Sequence, residues 1–324
     1  MDFIFIAKII SGINGSISLL KELWKLVTFS RSKLKKQADY LPEISDSVAA
    51  RFIQLFEAHG VHRNQIPEFF GHDLTIADVQ SEEALVEKLT PVILSDAAKL
   101  FSINSEWLPL GHGDVYPKYH FYKQPEKFGK FITQLPSNYD VHHFECSIFR
   151  SNKRTTSGYD ALMIVKTPIG ELGNRFIYAY HLCPGWMTHY WISAADLACC
   201  ISSSAQKGVY PHGCIVEDSW LAEFMNCQRL PSYDFESEIL AYPYKGQWNP
   251  GEFSDTAQEF IKPLEINQDN FSIPSALDRW WRYYDRGLIY VYSDDVNARV
   301  GEEFQAMAEV YGLELQLESL ANSS

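Results

Sequence analysis

Positive charge is in short supply. The 324-residue chain sets 28 Lys and Arg against 41 Asp and Glu, a formal charge of −13. A surface of that sign does not attract phosphate backbones broadly, which argues against a general nucleic-acid binder. Paired cysteine ligands are also missing. The six cysteines, Cys146, Cys183, Cys199, Cys200, Cys214 and Cys227, make no C-x-x-C pair. A chain of this length needs no disulfide staples, so a reduced, cytosolic protein is expected. There is no P-loop, G-x-G-x-x-G, H-E-x-x-H or G-x-S-x-G, so none of the chemistries those motifs carry is signalled. Long uncharged runs are absent too. In the apolar N-terminus Lys8, Lys21, Glu22 and Lys25 leave only Ile9 to Leu20 uncharged, short of the roughly 20 residues a span requires. Asp2 and the lack of an A-x-A site argue against a signal peptide. What is present is apolar and aromatic side chain, 46% and 14% of residues, enough for a packed core and too much for wholesale disorder.

Along residues 1–38, Phe3, Ile6, Ile10, Ile13, Ile17, Leu20, Trp24 and Val27 recur at alternating spacings of three and four. That spacing predicts an amphipathic helix with an a/d stripe, followed by the basic exit "RSKLKKQ". The stripe must be covered. Its own protein or a second copy comes first, an anionic membrane surface second, and a true span last.

Residues 41–112 read as an all-helical module. "SDSVAARFIQLFEAHG" has a cap at Ser45 or Ser47 and a stop at Gly60; "QIPEFFG", "TIADVQSEEALVEKL", "TPVILSDAAKLF" and "NSEWLPLG" follow. Residues 113–139 read as a connector. From 140 to 324 the texture becomes α+β with a mixed sheet. "VHHFECSIFR", "DALMIVKT", "RFIYAYHLC" and "GLIYVYS" read as strands. Between them "SAADLACCISSSAQKG", "SWLAEFMNC", "PSALDRWWRYY" and "VNARVGEEFQAMAEVYG" read as helices, the last opening a β-α-β ending closed by "LELQLES".

The stretch "AAKLF-SIN-SEWL-PLG" resembles the end of a phage-repressor or Cro-type helix-turn-helix domain, and "RFIQLFEAHG" resembles that family's first helix. The resemblance covers about 65 residues. It implies that Ala97, Ala98, Leu100 and Phe101 pack the last long helix, that Ser105 caps the terminal turn, and that Trp107 and Leu108 plug the core. Two departures stand out. Pro67 falls where the family carries a small residue within its second helix, so that helix must start later. The region of the recognition helix offers Asp73, Asp78, Glu82, Glu83 and Glu87 against Lys88 alone. Over 41–112, Glu43, Asp46, Glu57, Glu68, Asp73, Asp78, Glu82, Glu83, Glu87, Asp96 and Glu106 face only Arg51, Arg63, Lys88 and Lys99, which is −7. Guanine readout wants Arg or Lys. The expectation is therefore contact with protein rather than nucleic acid.

Three further groups are candidates for sites. His181 and Cys183, and again His212 and Cys214, sit at i and i+2, where strand residues share a face, and two such pairs would make a four-ligand zinc site. The spacing is no established zinc signature, and ordinary strand residues with buried thiols are preferred, so no cofactor is expected. Adjacent His142 and His143, and single carboxylates such as Asp160, Glu217 and Asp218, fit many roles. Arg279, Trp280, Trp281, Arg282, Tyr284 and Arg286 set cations among aromatic faces, which suits either core packing or a ligand or partner surface. Together these observations lead us to expect a non-enzymatic bacterial regulator or adaptor with an α+β sensing domain. A DNA-binding repressor and an enzyme of unrecognised class are the alternatives.

Overall fold

A helix begins where Ser47 accepts a hydrogen bond from the Ala50 amide at 3.4 Å, the N-cap arrangement expected of a short hydroxyl side chain. In this computed structural model, which describes residues 46–153, 158–226, 230 and 247–315, that helix is α1, Val48–Ala58. Its buried face is Ala49, Phe52, Ile53, Leu55 and Phe56. The helix expected over residues 1–38, with Phe3, Ile6, Ile10, Ile13, Ile17, Leu20, Trp24 and Val27, falls outside the described residues, as does Cys227.

Helix α2, Ile66–Phe70, starts after a 3-10 turn and carries Pro67 in its first turn. There a missing N–H costs nothing, which is how the chain accommodates this proline. Gly71, at φ 77°, ends it. The segment expected to be one helix from Thr75 is broken: a 3-10 turn at Asp78–Gln80, then extended Ser81, then α3 at Glu82–Lys88. Ser81 prefers to cap α3, accepting from Ala84 N at 3.1 Å. Thr90 caps α4, Pro91–Leu100. The short α5, Trp107–Leu110, has Glu106 as its N-cap with no side-chain bond, so Ser105 does not cap it. Trp107 and Leu108 are fully buried.

The sheet has the strand order β3-β2-β1-β4-β5. Its strands are β1 Glu145–Ser151, β2 Ala161–Leu172, β3 Arg175–Trp186, β4 Pro211–Val216 and β5 Gln247–Trp248. The first three form an antiparallel meander, β4 runs parallel to β1, and β5 closes the edge antiparallel. Register pairs Cys146 with Val165 and with Pro211, and Val165 with His181. Those residues therefore share one face, because paired residues point the same way. Helix α7, Trp191–Gln206, packs on that face and is buried from Ser193 through Ser204. Its small residues allow close approach to the sheet. Helix α11, Ser272–Asp285, covers its other side with Ala276, Leu277, Trp280 and Trp281 in the same core. The opposite face of the sheet receives helix α8, Asp218–Met225, through Trp220 against Phe149 at 5.1 Å between centroids.

Two strand expectations need correction. "VHHFECSIFR" becomes a strand only at Glu145, and His142 and His143 lie exposed in a 3-10 turn before it. "GLIYVYS" forms no strand. Ser202 of α7 donates to the Tyr290 carbonyl at 3.0 Å and accepts from the Tyr290 amide at 2.9 Å. A side chain thus supplies the bonds a neighbouring strand would have made, and the first strand of the β-α-β ending is replaced by a loop leading into α12, Asp294–Val310; residues 316–319 of its closing segment lie outside the described residues.

The helical module and the α+β region form one compact unit, Ser45–Ser324, rather than separate bodies. Residues 113–139 take part in the core through Val115, Tyr116, Phe121, Phe128 and Ile132, the last two on helix α6, Phe128–Gln134. His59, at the end of α1, stacks on Tyr180 of β3 at 4.7 Å and accepts from the Tyr116 hydroxyl at 3.2 Å. Its Nδ1 donates to the Leu55 carbonyl at 2.7 Å. Burial pulls the imidazole down to about 4, so this junction is built around a neutral histidine. Nearby, Phe69 lies where a Cβ on Gly170 would be, at 2.6 Å, so only glycine lets the module dock on β2.

Candidate functional site

The four residues weighed as a zinc site are not brought together. His181 and Cys183 are on β3, His212 and Cys214 on β4, and β2 and β1 lie between those strands. At nearly 5 Å per strand the pairs are separated by about 14 Å. Register also puts them on opposite faces: His181 shares the α7 face with Cys146, while His212 pairs with Ser147 and Cys214 with Phe149. Among the described residues no cluster of His, Cys, Asp and Glu could hold a metal ion. His181 instead meets the Thr167 hydroxyl at 2.9 Å, and burial pulls it down to about 4. Burial pushes the Cys183 and Cys200 thiols far up, so both are inert core residues.

The Arg-aromatic group on α11 divides. Trp280 is fully buried, stacked on Phe304, with Nε1 donating to the Ser254 carbonyl at 3.0 Å. Trp281 is also core. Tyr284 is half-buried and donates to the Asn297 carbonyl at 2.9 Å. These three rings are packing, not a ligand surface. Arg279 donates Nε to Asp196 Oδ1 at 2.7 Å. Asp196 is fully buried and also accepts from the Tyr283 hydroxyl at 2.7 Å and the Lys123 amide at 2.6 Å. Burial, together with this carboxylate, pushes the Tyr283 phenol far up. Arg282 and Arg286 are exposed, Arg282 in an ion pair with Asp278 at 2.8 Å.

A different group forms the cleft. The end of β1, the start of β2, the turn after β3 and the α10 region (Ala257–Ile261 and the 3-10 turn after it) enclose about 170 Å³. Crevices beyond the carboxyl ends of parallel strands are common ligand positions, and β1 and β4 both end here. Arg150, Ser151, Asn152, Lys153, Asp160, Thr188, His189, Glu259 and Lys262 supply its polar lining; Ile215, Pro263 and Ile266 supply its apolar part. Asp160 is buried and accepts from the Thr188 amide and hydroxyl, both at 2.7 Å, and from His189 Nδ1 at 3.2 Å. The His189 carbonyl is pinned by Asn267 Nδ2 at 2.6 Å. With Nδ1 committed to Asp160, the ring has Nε2 left for a further hydrogen bond. Lys153 pairs with Asp218 at 3.0 Å and Lys262 with Glu259 at 2.9 Å, both at the rim. The Ser151 hydroxyl and the Lys153 ammonium hold the Asp218 carboxyl below the usual carboxylate range. Arg150 lies over the Trp248 ring at 4.8 Å. An Asp-oriented imidazole is the base half of a nucleophilic relay, but among the described residues no Ser or Cys hydroxyl or thiol bonds to Nε2.

Nothing in the sequence joins Asp160, one of several single carboxylates, to His189. The available signal is positional: Asp160 immediately precedes one meander strand and His189 closely follows its antiparallel neighbour, so their ends must meet.

No family model matches this chain, and neither the curated proteins nor the solved structures contain a match. Among the described residues no helix is long and apolar enough to cross a membrane.

Proposed function

We propose that this protein is a non-enzymatic regulator or adaptor. Its helix-turn-helix-like module contacts a protein partner, and its α+β region carries the sensing site. The observation that carries this reading is the surface between residues 75 and 92. Ile76, Val86 and Val92 are 57, 49 and 63% exposed, and Glu82, Glu83 and Glu87 stand exposed in the same segment. Apolar side chains left in water among carboxylates favour a protein partner with a basic rim. DNA readout lacks its reagents: Lys88, the one Lys or Arg from 73 to 92, pairs with Asp78 at 3.9 Å. The repressor-like reading of the module is supported by its five-helix order and by the buried Trp107 and Leu108. In this reading the protein works in the cytoplasm, and residues 1–38 serve self-association, with an anionic membrane surface as the second choice.

The test is a comparison of wild type with Ile76→Lys and Val86→Lys. A partner captured by the wild type and lost by both variants supports the reading, with duplex DNA unshifted by either. Micromolar binding of duplex DNA that weakens steeply as salt rises overturns it.

A further inference from the structure

We infer that the cleft beside His189 binds a small hydroxylated anion, a phosphate ester or carboxylate of about single-ring size. This deepens the proposed sensing role and names the chemistry of its site.

Three observations converge. The first is an imidazole nitrogen with no protein partner. His189 is 6% exposed and lines the cleft. Its Nδ1 is committed to Asp160, and Nε2 has no protein partner among the described residues. An imidazole nitrogen lining a cleft without a protein partner is open to a ligand atom or water. With Nδ1 donating to Asp160, Nε2 accepts when the ring is neutral and donates when it is charged. A ligand hydroxyl, which both donates and accepts, serves Nε2 in either state.

The second observation is charge. In a chain of net −13, this lining gathers Arg150, Lys153 and Lys262 against two carboxylates, Asp160 and Glu259. Asp160 is turned toward three donors of the turn after β3. The two lysines reach in from the rim, 69 and 48% exposed at the side chain, where each can share its existing partner with an incoming anion. Hydrogen bonds to charged groups of this kind contribute more than neutral ones.

The third observation is size. A volume of about 170 Å³ is comparable to cavities that accept one benzene-sized ring. Ile215, Pro263 and Ile266 give it an apolar side for a short carbon skeleton. An anionic end at the lysines and a hydroxyl at His189 therefore define one ligand class with two possible anionic heads.

The full-length protein is titrated at neutral pH and constant ionic strength with glycerol 3-phosphate, glycerate, propyl phosphate and inorganic phosphate. Binding is followed by the imidazole nitrogen resonances of selectively labelled histidine. We expect saturable binding of glycerol 3-phosphate or glycerate with Kd below about 1 mM. Whichever of the two binds identifies the anionic head. Propyl phosphate, which lacks the hydroxyl, binds about tenfold more weakly than glycerol 3-phosphate if the phosphate arm is the productive one. Lys153→Ala with Lys262→Ala weakens binding at least about tenfold. His189→Gln keeps a hydrogen-bonding side chain and probes the acceptor; these rim substitutions keep the proposal testable should it fail to fold. No saturable shift of either hydroxylated anion below about 10 mM overturns the inference, as does unchanged affinity in the double lysine variant. The measurement uses the protein without any partner, so failure to capture a partner leaves it standing.

Discussion

Arg51 of α1 donates Nε to the Leu108 carbonyl at 3.0 Å, joining the first helix of the module to its last. The same guanidinium reaches the Pro109 carbonyl at 3.1 Å and the Asp46 carbonyl at 2.6 Å. It is 3% exposed, and burial lowers its proton affinity against the opposing pull of Asp46. A fork of donors thus satisfies carbonyls at the end of α5 that the helix itself leaves open. Gly111 sits so close that a Cβ would lie 2.6 Å from Arg51.

Arg51→Met should destabilise the protein by about 2–4 kcal/mol, because three carbonyls lose a charged donor. Arg51→Lys should recover less than half of that, since an ammonium cannot reproduce the fork. Urea unfolding midpoints with an unchanged slope check both values. Equal stability of the Lys variant and wild type would show that charge alone matters.

Trp107 separates shape from polarity. The ring is 1% exposed, yet Nε1 has no hydrogen-bond partner. Trp107→Ala should cost about 3–5 kcal/mol through the cavity it leaves. Trp107→Phe removes an unpaired donor along with part of the ring and should cost less than about 2 kcal/mol. Thermal unfolding of the two variants gives the comparison; an unchanged midpoint for the Ala variant would place Trp107 outside the core.

Acid should loosen the fold through His59 and His181. Both are buried and pulled down to about 4, from 6.5. The unfolded chain therefore binds more protons than the folded one between those values. The stability due to each histidine is complete above pH 6.5 and is lost as pH falls toward 4, by about 3 kcal/mol apiece. His59→Phe should lower stability at pH 7.5, because Tyr116 and Leu55 lose their partner. It should also remove about 3 kcal/mol from the loss measured between pH 7.5 and 4. An acid limb as steep as that of wild type would mean His59 is protonated in the folded protein.

Two arginines on α11 should behave differently. Arg279 is bonded to the fully buried Asp196, whereas Arg282 meets Asp278 at the surface with 71% of its side chain exposed. Asp196→Ala should cost about 3–5 kcal/mol, since Arg279, Tyr283 and the Lys123 amide all lose their acceptor. Arg282→Ala should stay within about 0.5 kcal/mol of wild type. Chemical denaturation of the two variants, measured in parallel, tests the contrast.

The local signals in the sequence determined most of the elements. Ser47 and Thr90 begin helices because a short oxygen can take a free amide. Gly60 and Gly71 end segments because positive φ suits them. The β-branched and aromatic runs at 161–172 and 175–186 make strands. The excess of carboxylates over 73–92, and with it the weak case for DNA binding, is a property of composition alone. Tertiary structure decided what those elements meet. The strand order set His181 and Cys183 three strands away from His212 and Cys214 and on the other face, because pairing between distant segments is not encoded in the i, i+2 spacing of either. Ser202 of α7 took the backbone bonds of Tyr290 and kept 287–293 from becoming a strand, a contact 88 residues apart in the chain. Trp280 and Arg279 look alike in sequence as members of one cluster, yet one fills the core and the other neutralises Asp196, since only packing fixes which side of α11 faces α7. Asp160 and His189 became a pair because an antiparallel meander returns the end of β3 to the beginning of β2, and chain distance disappears where strand ends meet.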